Sequence, residues 1–412
     1  MKYNPRIKLI NNLSSAEKEI EKIGADPYSV KIMASKMIHS CIKMTFVEAK
    51  IAHIIKQEML AIGGDAAVSR GILDFTDKNT DVILMGTHKQ YKRLIKRLKK
   101  QPFDLSKIGE DIETILNNFE NNNKIKNIKF KNSIKNKNYN LKIGEGTLIM
   151  GILNVSPDSF YDGGRYDEPE KAVERAKQMV SCGADIIDVG GESTRPGSDP
   201  VSLKEELNRT IPVIEAISSE IDVPISIDTY KSEVAEKAIQ AGASIINDIS
   251  GLGFDEKMAE VAAEYDVPVV IMHIRGTPGD MQKNPQYDDV ISDILAFFRD
   301  RIKFAIDSGI DENKIIIDPG IGFGKTVEHN LEIIKKLREF KILGKPILIG
   351  TSRKSFIGAA LKQENPGDRL EGTLATVAAS VMNGADIVRV HDVKECGMAA
   401  GMIDAIVNKQ QI

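Results

Sequence analysis

Two hydrophobic rhythms divide the chain. Beyond residue 140, apolar runs of strand length fall at 148–153, 186–189, 225–227, 245–246, 267–272, 315–317, 347–349 and 387–390. An apolar run bounded by turn signals is the pattern of a strand buried on both faces. Parallel pairing of such strands requires a crossover, and every gap is long enough for a helix. Three helix ends carry one phrase: Cys182-Gly183-Ala184-Asp185, Ala241-Gly242-Ala243-Ser244 and Asn383-Gly384-Ala385-Asp386. In each, Gly stands where a left-handed C-cap precedes the next strand. Eight strands, each followed by a helix, predict a (β/α)8 TIM barrel over 141–412. An open doubly wound sheet could also hold eight strands, but no Gly-x-Gly-x-x-Gly follows the first.

Before the barrel the rhythm is weaker. Within 1–116, segments 42–47 and 81–85 read as strands and 49–60 and 89–100 as amphipathic helices, so a small α/β N-terminal domain is expected. The last of these helices has an apolar stripe (Tyr91, Leu94, Ile95, Leu98) and a basic face (Lys92, Arg93, Lys96, Arg97, Lys99, Lys100). Such a face is ordinarily a solvated one, with anion or nucleic-acid binding as the alternative. No chemistry is assigned to this domain. Between 117 and 140 Asn and Lys predominate, and Asn side chains compete for backbone hydrogen bonds. That tract predicts a linker, with at most a short edge strand near 125–130. An RNA-binding arm would want the arginine that the tract lacks.

At 412 residues, two domains are expected, one of them the barrel. A net charge of −3 gives no global reason to expect nucleic acid or an anionic membrane as partner. The three cysteines, Cys41, Cys182 and Cys396, lie far apart and read as reduced structural thiols. No run approaches the length of a membrane span and no signal segment opens the chain, so a cytoplasmic location is expected.

Barrel chemistry collects at the C-terminal ends of the strands. Those positions here are Asn154; Glu192-Ser193-Thr194-Arg195-Pro196-Gly197; Asp228-Thr229; Asn247-Asp248; Met272-His273; Asp318; Thr351-Ser352-Arg353-Lys354-Ser355; and Arg389 with His391. Burying so many polar groups without a ligand would be costly. Asp228, Asn247 and Asp318 suit a deep pocket for a planar ring rich in N–H donors and acceptors. Arg195, Lys354, Arg389 and His391 supply positive charge nearer the rim, as a phosphate or carboxylate needs. Singly, each has a plainer explanation: Asp228 as a helix N-cap, Asn247 satisfying loop backbone, Arg389 and His391 as a surface pair, His273 in a structural hydrogen bond. Their order around eight strands favours function. No zinc spacing and no phosphate-loop pattern is met.

Seven segments then carry a resemblance over 147–410: Gly151-Ile152-Leu153-Asn154-Val155-Ser156-Pro157-Asp158-Ser159-Phe160, Gly191 to Gly197, Ser226-Ile227-Asp228-Thr229, Ile246-Asn247-Asp248, Asp318 to Thr326, Gly350 to Phe356, and Arg389-Val390-His391. In that order they resemble the dihydropteroate synthase family. The resemblance implies an enzyme that condenses 6-hydroxymethyl-7,8-dihydropterin diphosphate with p-aminobenzoate in folate biosynthesis, releasing pyrophosphate, with Mg2+ and usually as a homodimer. It implies Asn154 at the metal–diphosphate site, and Thr194, Arg195 and Pro196 in a mobile loop near the arylamine. Asp228, Asn247, Asp318 and Lys354 would form the pterin pocket. Phe323 and Ser355 would border the arylamine, and Arg389 with His391 would hold the diphosphate. Asp228, Lys354, Arg389 and His391 are the catalytic candidates. Ser198-Asp199 and Ile274-Arg275 depart mildly from the family pattern and bear on the choice of amine. Alternatives are the same reaction with a ribosylated arylamine in methanopterin synthesis, a pterin-binding methyltransferase domain, and a non-catalytic pterin binder.

Overall fold

A computed structural model describes residues 3–72, 76–102, 104–120, 126–132, 134, 136–155, 168–193, 197–198 and 200–407. The chain forms two compact units, Met1–Asn121 and Asn122–Ile412. In the first, β1 (His39–Glu48), β2 (Asp65–Ala67) and β3 (Asn79–Thr87) make an antiparallel sheet with β3 in the middle. Alternation along β3 buries Val82 and Leu84 and leaves Asp81 and Ile83 facing out. Helices Ala49–Ala61, His88–Leu98 and Leu105–Glu120 complete that core through Ile55, Met59, Tyr91, Leu94, Leu98 and Ile112. The basic face of His88–Leu98 is exposed, and Arg97 pairs there with Glu58. Helices Leu13–Glu21 and Pro27–Met37, which the sequence pattern did not single out, share a small core of their own.

The expected linker over 117–140 is corrected by the structure. Helix Leu105–Glu120 runs past its start, and β4 (Lys126–Asn132) pairs with β5 (Lys137–Ile143) in an antiparallel hairpin, Ile128 opposite Leu141 and Phe130 opposite Tyr139. Asn127, Lys129, Lys131, Asn138, Asn140 and Lys142 occupy the outer face of the pleat. Ile128, Phe130, Tyr139, Leu141 and Ile143 occupy the inner one and are buried. Reading the tract by composition missed a period of two.

Eight parallel strands follow: β6 (Leu148–Asn154), β7 (Ile186–Gly190), β8 (Ile225–Asp228), β9 (Ile245–Asp248), β10 (Val269–Met272), β11 (Ile315–Asp318), β12 (Leu348–Ile349) and β13 (Ile387–Val390). Their order is β11-β10-β9-β8-β7-β6-β13-β12, and a bridge between Ile317 and Ile347 closes the ring. Outward residues such as Ile187, Ile227, Ile246, Ile271, Ile317 and Val388 join the helices in one large core. Inward residues near the strand starts, Met150, Ile186, Ile245, Val270, Ile316, Leu348 and Ile387, pack against the hairpin. Lys126 donates to the Gly344 carbonyl at 2.6 Å, Asn132 to that of Gly242 at 2.7 Å, and Lys137 meets the Asp222 carboxylate at 2.7 Å. All three anchors lie in loops that lead into strands, so the hairpin closes the N-terminal end of the barrel. The repeated C-cap glycines behave as expected, with φ of 97° at Gly183, 123° at Gly242 and 100° at Gly384. Among the described residues no helix is long and apolar enough to cross a membrane.

Candidate active site at the barrel mouth

Two residues beyond the inward apolar layer, the same pleat phase delivers polar side chains: Asp188 after Ile186, Asn247 after Ile245, Asp318 after Ile316, Arg389 after Ile387. Arg389 sits at the centre. Its Nε donates to Asp188 Oδ2 and its Nη2 to Asp228 Oδ2, both at 2.6 Å, while Asn247 Nδ2 donates to the same Asp188 oxygen at 3.1 Å. Asp188 is fully buried. Among the described residues, buried Asp188 Oδ1, Asp228 Oδ1 and Ser226 Oγ have no hydrogen-bond partner. An orphaned buried acceptor costs on the order of 1–3 kcal/mol, so this layer calls for a donor that the described residues do not supply. Burial pushes the Asp228 carboxyl above its ordinary range, and the Arg389 guanidinium pulls it part of the way back.

A second group faces this clamp. Asp318 Oδ1 accepts the Gly320 N–H at 2.7 Å, and Lys354 Nζ donates to the Ile321 carbonyl while standing 4.6 Å over the Phe323 ring. Burial raises the Asp318 carboxyl, opposed first by Lys354. Burial likewise pulls the Lys354 amine down to about 8, opposed by Asp318 and assisted by Arg389. Lys354 reaches the pocket because its neighbour turns away. Arg353, at φ 56°, spends its guanidinium on Asp392 at 2.9 and 2.6 Å. At the rim, His391 Nδ1 and the Ser352 hydroxyl are 3.0 Å apart, and the His391 N–H donates to that same hydroxyl.

The structure therefore gathers Asp228, Asn247, Asp318, Phe323, Lys354 and Arg389 at one mouth. Asn154 ends β6 exposed, and its amide oxygen and Asp228 flank the same residue. A Cβ on Gly190 would lie 3.5 Å from Asp228 Cβ and 3.9 Å from Asn154 Oδ1. Ser355 is exposed at the first position of helix Ser355–Leu361. Thr194, Arg195 and Pro196 fall outside the described residues. The stem that leads to them is tied down by Glu192, which accepts from Tyr230 at 2.8 Å and from Lys231, itself bridged to buried Glu206. His273 turns into the core, edge-on to Phe297 at 4.9 Å, as its structural alternative required.

Two placements differ from expectation. Charge alone put Arg389 and Lys354 nearer the rim; both line the pocket, as the family resemblance implied for Lys354, and Arg389 is held there by the buried Asp188 carboxylate. Asp188 was not picked out at all. The signal was there: a carboxylate inside the apolar run Ile186-Ile187-Asp188-Val189, in phase with the inward positions.

Residues 150–391 match the model of a family described as pterin binding enzymes. This chain belongs to that pterin-binding enzyme family. A dihydropteroate synthase of Bacillus subtilis (strain 168) is 54% identical over 269 residues, 65% of this chain and 92% of that protein. A probable bifunctional folylpolyglutamate synthase/dihydropteroate synthase of Halobacterium salinarum is 42% identical over 399 residues. That match takes in 96% of this chain, the N-terminal unit included, and 46% of the longer protein. A solved dihydropteroate synthase of Xanthomonas albilineans with 4-aminobenzoic acid is 41% identical, with a TM-score of 0.61 over 65% of this chain and 95% of that one. Within the pterin-binding enzyme family the chain is thus a transferase of the dihydropteroate synthase kind.

Proposed function

We propose that the barrel joins 6-hydroxymethyl-7,8-dihydropterin diphosphate to p-aminobenzoate, releasing pyrophosphate, in folate biosynthesis. The observation that carries this reading is the pair of orphaned carboxylate oxygens, Asp188 Oδ1 and Asp228 Oδ1, beside the Asn247 amide and the Lys354 amine. A pterin presents amino and ring N–H donors on one part of its edge and carbonyl and ring-nitrogen acceptors on another. Asp318 and Asp228 suit the first, Asn247 and Lys354 the second.

The reaction needs the methylene C–O bond to break, with the electron pair leaving on the diphosphate. The electron-rich ring supports the resulting cation, and the buried Asp228 carboxylate stabilises it electrostatically. The aniline nitrogen, neutral at pH 7, then forms the C–N bond and loses its proton. Phe323 and Ser355 border the amine, and His391 with the free guanidinium edge of Arg389 meets the departing diphosphate. Among the described residues no cluster of three His, Cys, Asp or Glu side chains suits a metal ion. The single amide oxygen of Asn154 fits Mg2+ only as a minor ligand, with diphosphate oxygens and water completing the shell. When bound, the ion would neutralise charge on the leaving group.

The family expectation of a homodimer has support in helix Val393–Ile406, where Met398, Met402 and Ile406 recur every fourth residue on the exposed face. The deciding experiment for the reaction measures pyrophosphate release from the pterin diphosphate with p-aminobenzoate and, separately, with its ribosylated counterpart. Release with p-aminobenzoate is expected. Release only with the bulkier amine moves the enzyme out of folate synthesis, and no release with either removes the reaction.

A further inference from the structure

With the barrel mouth read as a pterin pocket, we infer that Lys325 is a positioning residue for it: the amine staples the loop after β11 to the exit of β10 and so sets where Asp318 and Phe323 stand. Lys325 is 2% exposed. Three acceptors surround its Nζ: His273 Nδ1 at 2.9 Å, the His273 carbonyl at 3.3 Å and the Phe323 carbonyl at 3.0 Å. A lysine ammonium has three hydrogens, so this set is complete when the His273 ring carries its own proton on the other nitrogen. No carboxylate lies at ion-pair distance among the described residues. Burial accordingly pulls Lys325 and His273 well below their ordinary values. A buried lysine without an ion pair is an expensive way to fill a core, and what this one obtains is the path of a loop.

That path is narrow. Gly320, Gly322 and Gly324 all have positive φ, at 70°, 82° and 63°. A Cβ at Gly320 would come within 2.0 Å of the His273 carbonyl oxygen, and one at Gly324 within 2.4 Å of that of Arg275. The loop thus lies directly on the main chain that leaves β10, and two carbonyls in the seam depend on Lys325 for a donor. From outside, Gln282 donates to the Gly322 carbonyl at 2.7 Å and the Tyr287 hydroxyl to that of Gly324 at 2.8 Å. On the pocket side the same loop supplies the Gly320 N–H to Asp318, the Ile321 carbonyl to Lys354 and the Phe323 ring beneath the Lys354 amine. Three groups of the pocket therefore depend on where the loop runs, although Lys325 itself is sealed from substrate.

Calorimetry of 6-hydroxymethylpterin binding to the full chain tests the staple in a double-mutant cycle. Lys325→Met keeps the length and removes the donors; His273→Leu removes the ring acceptor; His273→Asn keeps an oxygen where Nδ1 stood. Lys325→Met and His273→Leu are each expected to weaken pterin about tenfold, His273→Asn less than about threefold, and the double variant no more than Lys325→Met alone. In turnover, the KM for pterin diphosphate should rise more than kcat falls, a split that general loss of stability would not produce. Binding within about twofold of wild type in both single variants, or losses that multiply in the double, would overturn the inference. If Lys325→Met does not fold, the contrast between the two His273 variants decides alone. Absence of pterin binding by the wild type would instead overturn the pocket reading, and this inference with it.

Discussion

At the residue scale, the site is governed by opposing ionisations held side by side. Asp228 must be a carboxylate to stabilise a cation, yet burial raises it, so the active fraction is lost as pH falls through a value above the usual carboxylate range. Lys354 must be protonated to set a positive charge beside the ring acceptors, and that form is lost as pH rises through about 8. A bell-shaped profile of kcat/KM is expected, with its alkaline limb near 8. Lys354→Arg should move that limb upward, because a guanidinium does not titrate there. Asp228→Asn should cut turnover by about a hundredfold or more while the pterin still binds. Single-turnover pyrophosphate release across pH reads both effects. An unchanged cleavage rate in Asp228→Asn would take the carboxylate out of the mechanism.

At the element scale, the hairpin and the loops do different work. β4 and β5 contribute no group to the mouth, but they seal the opposite end with five buried apolar side chains. Phe130 is 5% exposed and packs 5.6 Å from the Tyr139 ring. Phe130→Ala is expected to cost about 3–5 kcal/mol in urea unfolding and to leave the KM for the amine near its wild-type value. A cost within about 0.5 kcal/mol would mean the tract behaves as the linker its composition suggested. The loops at the mouth work through main-chain geometry instead. Arg353 takes a left-handed conformation so that its guanidinium meets Asp392 and the next residue, Lys354, faces inward.

At the scale of the whole molecule, every assigned group lies in the second unit, Asn122–Ile412. The family match, residues 150–391, lies wholly within this unit. A fragment beginning at Asn122 is expected to fold, to run as a dimer in light scattering and to retain pyrophosphate release. A fragment beginning at Lys137 deletes β4, exposes the apolar layer around Ile186 and Ile316, and should be far less stable. Equal behaviour of the two fragments would show that the hairpin is dispensable. Loss of activity in the longer one would give the first unit a part in the barrel's work. The N-terminal unit has basic residues in excess, 20 against 15 acidic, while the barrel unit has 36 against 44. Its basic helix face has no assigned role.

What the sequence determined by itself was whatever follows from local pattern. Apolar runs separated by helix-length gaps were enough for eight strands in order. Because chemistry in such a barrel stands at strand ends, Asp228, Asn247, Asp318, Lys354 and Arg389 were legible before any coordinates. The pleat's period of two was also present in the hairpin and at Asp188, but composition hid the first and a lone acidic letter in an apolar run hid the second. Only the tertiary structure decided who meets whom. That Arg389 on the last strand spans Asp188 and Asp228 on the second and third depends on the last strand pairing with the first, over separations of 201 and 161 residues. That Lys325 meets His273 across 52 residues, with no carboxylate at ion-pair distance among the described residues, depends on how two loops lie on one another. Local pattern fixes which face a side chain takes. The partner it finds there depends on where distant strands bring their own inward positions, and no short-range signal encodes that.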